Sequence, residues 1–296
     1  MEATIPLGDM EEIANGIDHS EGICRTLDGT IYLSGEQGQL YRVEPDDTAV
    51  EIATTGGFTL GLAADGEGMI YACDPEKKRV FRIDPASGVM EEFSSGTPDA
   101  PFHNPNWGAF DSKGNYYVSD SGRWKQRDGS LYIVRPGRST DVWTTETRDF
   151  PNGLALSSDE RSLWVLESTP GKVIRFEIRE DGTAGPREEV LDLPGAVPDG
   201  IAFATDGSIV VSCYRPDIIY RWREDRGLEV LGHDPEGTVL AAPTNVVFAG
   251  PELDTMYVPN LGRWHVTRFK VPGLTGVPLR YPTASQLGLA PVGAAS

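Results

Sequence analysis

Short apolar runs alternate with turn residues along most of this chain, and the alternation itself repeats. Thr30-Ile31-Tyr32-Leu33-Ser34, Met69-Ile70-Tyr71-Ala72-Cys73, Asn115-Tyr116-Tyr117-Val118-Ser119 and Ser208-Ile209-Val210-Val211-Ser212 are rich in β-branched and aromatic residues, which suit strands. Turn signals precede them: Asp28-Gly29, Asp65-Gly66-Glu67-Gly68, Asp111 to Asn115 and Asp206-Gly207. Asp-Gly between apolar runs is a strong hairpin signal. A third run follows each pair, such as Gln39 to Val43 or Lys172 to Phe176. Several of these alternate apolar with polar residues, so one face is solvated. Weaker outer runs follow at Asp141 to Thr144 and Glu188 to Leu191. No stretch has a helical period.

Each group of runs starts from an anchor in which an oxygen-bearing or small residue meets glycine or an apolar residue. The anchors include Ser20-Glu21-Gly22-Ile23, Pro105-Asn106-Trp107-Gly108, Pro151-Asn152-Gly153-Leu154, Pro198-Asp199-Gly200-Ile201 and Pro243-Thr244-Asn245-Val246. The series Glu21, Gly61, Asn106, Asn152, Asp199, Asn245 advances by 40, 45, 46, 47 and 46 residues. A fixed step of this size marks a repeat architecture. Four strands per unit, six units and no helices predict an all-β, six-bladed β-propeller with four antiparallel strands per blade. Glu11 to Ala14 is expected to supply the outer strand of the last blade, closing the ring and hiding its edges. The expected organisation is one domain over residues 1–283. Residues 284–296, small and aperiodic, read as a flexible tail.

Charge narrows the partners. Forty-five acids against 26 bases give a net charge of −19, which disfavours nucleic acid and anionic membranes. Cys24, Cys73 and Cys213 are odd in number and widely spaced, unlike a disulfide framework or zinc site. No apolar run approaches the ~18 residues of a membrane helix. Met1 to Pro6 lacks the features of a signal peptide. These points predict a cytoplasmic protein, monomeric or weakly homo-oligomeric, without nucleic-acid or membrane partners.

In a propeller the first strand of every blade lines the central channel, so equivalent anchors converge. Glu21, Asn106, Asn152 and Asp199 would then face one another as hard oxygen donors, suited to calcium, magnesium or manganese. Their two carboxylates call for a divalent cation, since without one they repel and one keeps its proton. The bland reading is that Asn and Asp before Gly only form turns, but that leaves Glu21 unexplained. Gly61 offers no side-chain oxygen, and Asn245 lacks the following glycine. There is no GxSxG, HExxH or GxxxxGK[ST], so serine hydrolase, zincin and P-loop readings lack support.

These anchors, with Gly114 to Ser121 and Thr244 to Val258, resemble the family of senescence-marker-protein-30, gluconolactonase and luciferin-regenerating enzyme over nearly the whole chain. The resemblance implies a six-bladed propeller with one catalytic divalent cation that opens sugar lactones. Calcium is the first expectation for the ion, with zinc, manganese and magnesium as alternatives. By match, Glu21, Asn152 and Asp199 are its core ligands, and Asn106 is a fourth ligand or holds substrate beside it. Mammalian members carry an arginine where Asn104 stands here, which points to a different substrate. The implied mechanism has the cation polarise the lactone carbonyl. Asp199 is the candidate catalytic base, with a metal-bound hydroxide as its rival.

Further candidates for substrate contact are His103, Asn104, Asn106, Asp120 and Arg123. Each has a plain alternative as a loop or turn residue. Arg123 to Asp128 reads as an insertion, either a lid or a solvated loop. Tyr214-Arg215 and Arg263-Trp264 sit at similar strand ends and could line a pocket. Competing functions are phosphotriester hydrolysis, strictosidine-synthase-like condensation, or a non-catalytic binding propeller.

Overall fold

The computed structural model describes residues 2–289. The Asp-Gly turns do what their composition requires: Gly29 and Gly207 take φ of +94° and +84°, a region open to glycine at no steric cost. The runs they join form six four-stranded antiparallel sheets. Blades 1 to 6 begin on the inner strands Ile23–Arg25, Leu62–Ala64, Pro105–Phe110, Pro151–Leu156, Val197–Phe203 and Val247–Ala249. The last blade takes its outer strand, Glu11–Ile13, from the N-terminal end, with Glu11 opposite Arg268. Arg268 binds Glu11 at 2.7 Å and Asp47 of blade 1 at 2.6 Å, so one guanidinium spans the closure. The six-bladed, ring-closed propeller expected from the repeat is the observed architecture.

The core is divided among the blade interfaces. Between blades 2 and 3, Tyr71 packs edge-on against Phe93 and Phe110, each at 4.8 Å between ring centroids. Between blades 3 and 4, Trp107, Tyr117, Trp143 and Phe176 form the next cluster. The second strands are buried on both faces, as in Tyr116–Asp120, because each is sandwiched by neighbouring blades. All three cysteines are buried and unpaired, and burial pushes their thiols up, which makes them unreactive.

Beyond Lys270 the chain crosses the end of the ring opposite the anchors. Val277 N–H donates to Phe203 O at 2.9 Å, and Gly66 N–H to Pro282 O at 2.9 Å. Arg280 Nη2 donates to Ser158 O and Tyr281 Oη to Arg25 O, both at 2.8 Å. The strap thus touches blades 5, 4, 1 and 2 and caps an apolar chamber of about 130 Å³ in the channel. Residues 284–289, the first part of the tail expected from Ala284, lie against the ring. Ala284 and Leu287 are 3% and 2% exposed, and Leu287 joins the blade 2–3 core. The rest of that expectation, 290–296, lies outside the described residues. Among the described residues, no helix is long and apolar enough to cross a membrane.

Candidate active site

The anchors are not turns. The pairing of inner and second strands shifts register between Pro105 and Trp107, between Pro151 and Leu154, and between Pro198 and Gly200. Asn106, Asn152-Gly153 and Asp199 therefore sit in β-bulges, which re-aim a side chain locally. Glu21 and Asn245 lie two residues before their inner strands.

Gly22, Gly61, Gly153 and Gly200 serve close approach rather than left-handed backbone. A Cβ on Gly22 would lie 1.9 Å from Leu60 O, and one on Gly61 would lie 2.6 Å from Asn106 O. A Cβ on Gly200 would lie 2.5 Å from Asn245 Cα. At these glycines only hydrogen fits between adjacent blades. Hydroxyls then pin the bulges. Ser34 Oγ accepts Gly22 N–H at 2.6 Å, and Ser119 and Ser212 accept Trp107 and Gly200 N–H at 3.1 Å. Other hydroxyls donate across blades: Ser119 to Asn152 O and Ser121 to Pro151 O, both at 2.7 Å, and Ser168 to Pro198 O at 2.8 Å. Thr244 donates to Glu21 O at 3.0 Å. These serines were not singled out from the sequence, although Ser34, Ser119 and Ser212 each follow their partner by 12 residues.

Asn106, Asn152 and Asp199 are 2%, 4% and 6% exposed, and the Oδ1 atom of each is buried without a hydrogen-bond partner. Buried polar atoms are normally satisfied, and leaving one bare costs roughly 1–3 kcal/mol. Three bare oxygens on equivalent bulges form one set of acceptors that suits an electropositive group. Asn245, 1% exposed, occupies the equivalent place in blade 6, but its Oδ1 accepts Val246 N–H at 2.7 Å. Its Nδ2 is buried without a partner instead.

Two acids share this ring. Burial, with Glu36 adding to it, pushes Glu21 up to about 8. Burial and then the Glu21 charge hold Asp199 well above the carboxylate range, against a hydrogen bond from Asn152. The Asn152 amide also donates to Ser168 Oγ at 3.3 Å, so its carbonyl oxygen is the free end. Hard oxygens, two crowded acids that hold their protons without a counter-charge, and bare acceptors together fit a divalent cation.

The other predicted residues have different places. Asp120, 3% exposed, accepts N–H of His103 at 2.6 Å, Asn104 at 2.9 Å and Gly122 at 3.0 Å. Both its oxygens hold the loop that leads into Asn106, so it is a positioning residue. Asp74, Glu167 and Asn260 do the same for Phe58, Arg148 and Ala241, and they recur at the repeat step. Asn104 Nδ2 donates to Gly122 O at 3.1 Å. His103 is exposed. Arg123, 73% exposed, pairs with Asp128 of its own loop at 2.7 Å.

Residues 20–260 match the family model described as the SMP-30/gluconolactonase/LRE-like region. The chain belongs to this family. Among its relatives is the 6-deoxy-6-sulfogluconolactonase of Pseudomonas putida, 28% identical over 271 residues, covering 80% of this chain and 85% of that protein. Lactonase drp35 of Staphylococcus haemolyticus is 32% identical over 110 residues. That match covers 36% of this chain and 34% of the relative's length. The fold is shared with a Xanthomonas campestris gluconolactonase, at TM-score 0.74 and 20% identity over 91% of both chains. It is shared equally with the calcium-binding protein regucalcin of Agrobacterium tumefaciens, at TM-score 0.74 and 17% identity over 92% and 96% of the two chains.

Proposed function

We propose that this chain hydrolyses a lactone at a divalent-cation site formed by Glu21, Asn106, Asn152 and Asp199. The observation that carries the proposal is the trio of buried, unpartnered Oδ1 atoms on Asn106, Asn152 and Asp199. The names of the lactonase relatives supply the reaction class, and the calcium-binding relative favours calcium as the ion. A cation held there supplies Lewis acidity toward a carbonyl oxygen and offsets the two carboxylates.

The chain's own residues supply the rest. Asn106 and Asn152 present neutral oxygens that no protein group claims, so they are preorganised and need no rearrangement. Asp199, a buried carboxylate beside Asn152 with a bare Oδ1, is the base. It takes a proton from water as the water oxygen bonds to the lactone carbonyl carbon. The ring C–O bond then breaks, and the proton passes from Asp199 to the departing ring oxygen, leaving a hydroxy acid. Asp120 keeps the approach to Asn106 in place without touching substrate.

The test is metal content after calcium loading and dialysis, run beside a panel of lactones. One ion per chain is expected, lost in Asn152→Ala, with lactone opening abolished in Asp199→Asn at saturating calcium. A protein that binds no divalent cation and opens no lactone overturns the reading. Unchanged turnover in Asp199→Asn removes Asp199 as the base.

A further inference from the structure

Among the described residues, Trp124 and Trp264 are the exposed aromatic side chains, at 46% and 55%. Exposed indoles stand out in a protein that buries most of its aromatics, and such surfaces often mark recognition sites. Their placement is not random. Trp124 lies in the connection between the second and third strands of blade 3, between Tyr116–Asp120 and Ser130–Val134. Trp264 lies in the equivalent connection of blade 6, between Thr255–Pro259 and Val266–Lys270. The pairing of Pro105 with Asp120 places such connections at the end of the ring where the anchors lie. Blades 3 and 6 are opposite one another in a six-bladed ring, so the two indoles rise from opposite sides of one mouth.

Each indole leans on a residue two positions before a proposed ligand. Trp124 packs edge-on against Phe150, with centroids 4.8 Å apart, and Phe150 precedes Pro151-Asn152. Trp264 lies 5.3 Å from the ring of His19, which precedes Ser20-Glu21. One edge or face of each ring is thereby fixed while the rest stays in solvent. A rigid aromatic offers contact area at little entropic cost.

Several polar groups beside them are already engaged. Arg123 pairs with Asp128, Arg263 donates to Gly237 O at 3.1 Å, and the His265 ring meets Val239 O at 3.0 Å. Asn104 spends its amide on Gly122 at the root of the Trp124 loop. The two indoles thus add apolar surface to a mouth that also carries Lys125 beside Trp124 and the Asp18–His19–Glu36 cluster beside Trp264.

We propose that Trp124 and Trp264 are specificity-determining walls that select a lactone carrying an apolar ring or chain over a small unsubstituted one. The inference rests on the lactonase reading of the ring below it. Aromatic walls contact the substituent and leave the reacting ester to the oxygen ring, so they act on KM rather than kcat.

The experiment compares δ-decalactone, which bears a pentyl chain, with δ-valerolactone, which bears none, on the calcium-loaded protein. Trp124→Ala and Trp264→Ala are each expected to lower kcat/KM for δ-decalactone about tenfold, through KM, which corresponds to about 1.4 kcal/mol. Turnover of δ-valerolactone is expected to stay within twofold, and Trp124→Phe to retain most of the preference. An equal loss on both lactones, or no loss in either alanine variant, overturns the proposal. Calorimetric titration with the lactam analogue of δ-decalactone keeps the two readings apart. If the wild type opens neither lactone but binds the lactam in a manner that needs both tryptophans, the hydrolase reading fails and the walls stand. If it opens both lactones and the alanine variants bind the lactam unchanged, the walls fail alone.

Discussion

Gly153 lies so close to Asp199 that a Cβ on it would stand 2.3 Å from the Asp199 carbonyl oxygen. Gly153 belongs to blade 4 and Asp199 to blade 5, so the contact sets the spacing of two adjacent bulges. Gly153→Ala must push one strand away. Overpacking of this kind costs about 1–3 kcal/mol, and the displaced strand carries a proposed ligand. Lower stability in urea and weaker calcium binding are expected together. Gly8→Ala, with nothing within 4 Å of its Cβ, is the control and should change neither.

Asp120 is a test of positioning against contact. Its carboxylate holds three backbone N–H groups, and a buried donor left bare costs roughly 1–3 kcal/mol. Asp120→Ala is expected to lower stability by about 3 kcal/mol, with Asp120→Asn losing less because an amide oxygen still accepts. Calcium affinity, read by titration, should fall far less than stability, since Asp120 lies outside the donor set.

Stability should depend on pH in opposite ways with and without the ion. The Glu21 carboxyl is held at about 8, above its ordinary 4.5, and Asp199 is raised in the same sense. A raised acid binds its proton more tightly when folded, so its contribution is present below about 4.5 and is lost as pH rises toward 8. The chelated protein is therefore expected to show a falling Tm across that window. Calcium should restore it, by an amount that grows with pH, because ion and protons compete for the same oxygens. A chelated protein whose Tm is flat from pH 5 to 8 contradicts this.

The far end of the ring has its own test. Leu287 is 2% exposed in the core between blades 2 and 3. Leu287→Ala should cost about 2–5 kcal/mol, as other buried leucines do. A freely moving tail would show no change in the urea midpoint. Lactone turnover, at the opposite end of the channel, should be unaffected at temperatures where the variant is folded.

Much of the architecture was readable from local pattern. Asp-Gly turns, β-branched runs and a step near 46 residues specify hairpins and their number, because each is a short-range property of a few residues. Glu11 to Ile13 could be assigned to the last blade, since an unpaired outer position and an unpaired strand were both visible. The docked segment around Leu287 was not legible. Its few apolar residues are isolated among small ones, and their value depends on a core built by residues 150 to 220 positions earlier.

For the site, the sequence alone brought Glu21, Asn106, Asn152 and Asp199 to equivalent repeat positions, and that was sufficient to nominate them. It could not distinguish a bulge from a turn, because Asn-Gly and Asp-Gly suit both. Tertiary structure decided that question. The glycines have no room for a Cβ because a neighbouring blade's backbone fills the space. It also decided that Asp120 holds a loop, that Asn245 spends its oxygen on its own strand, and that two indoles stand across one mouth. Each of those facts is a contact between residues distant in sequence, and such contacts exist only once the ring has closed.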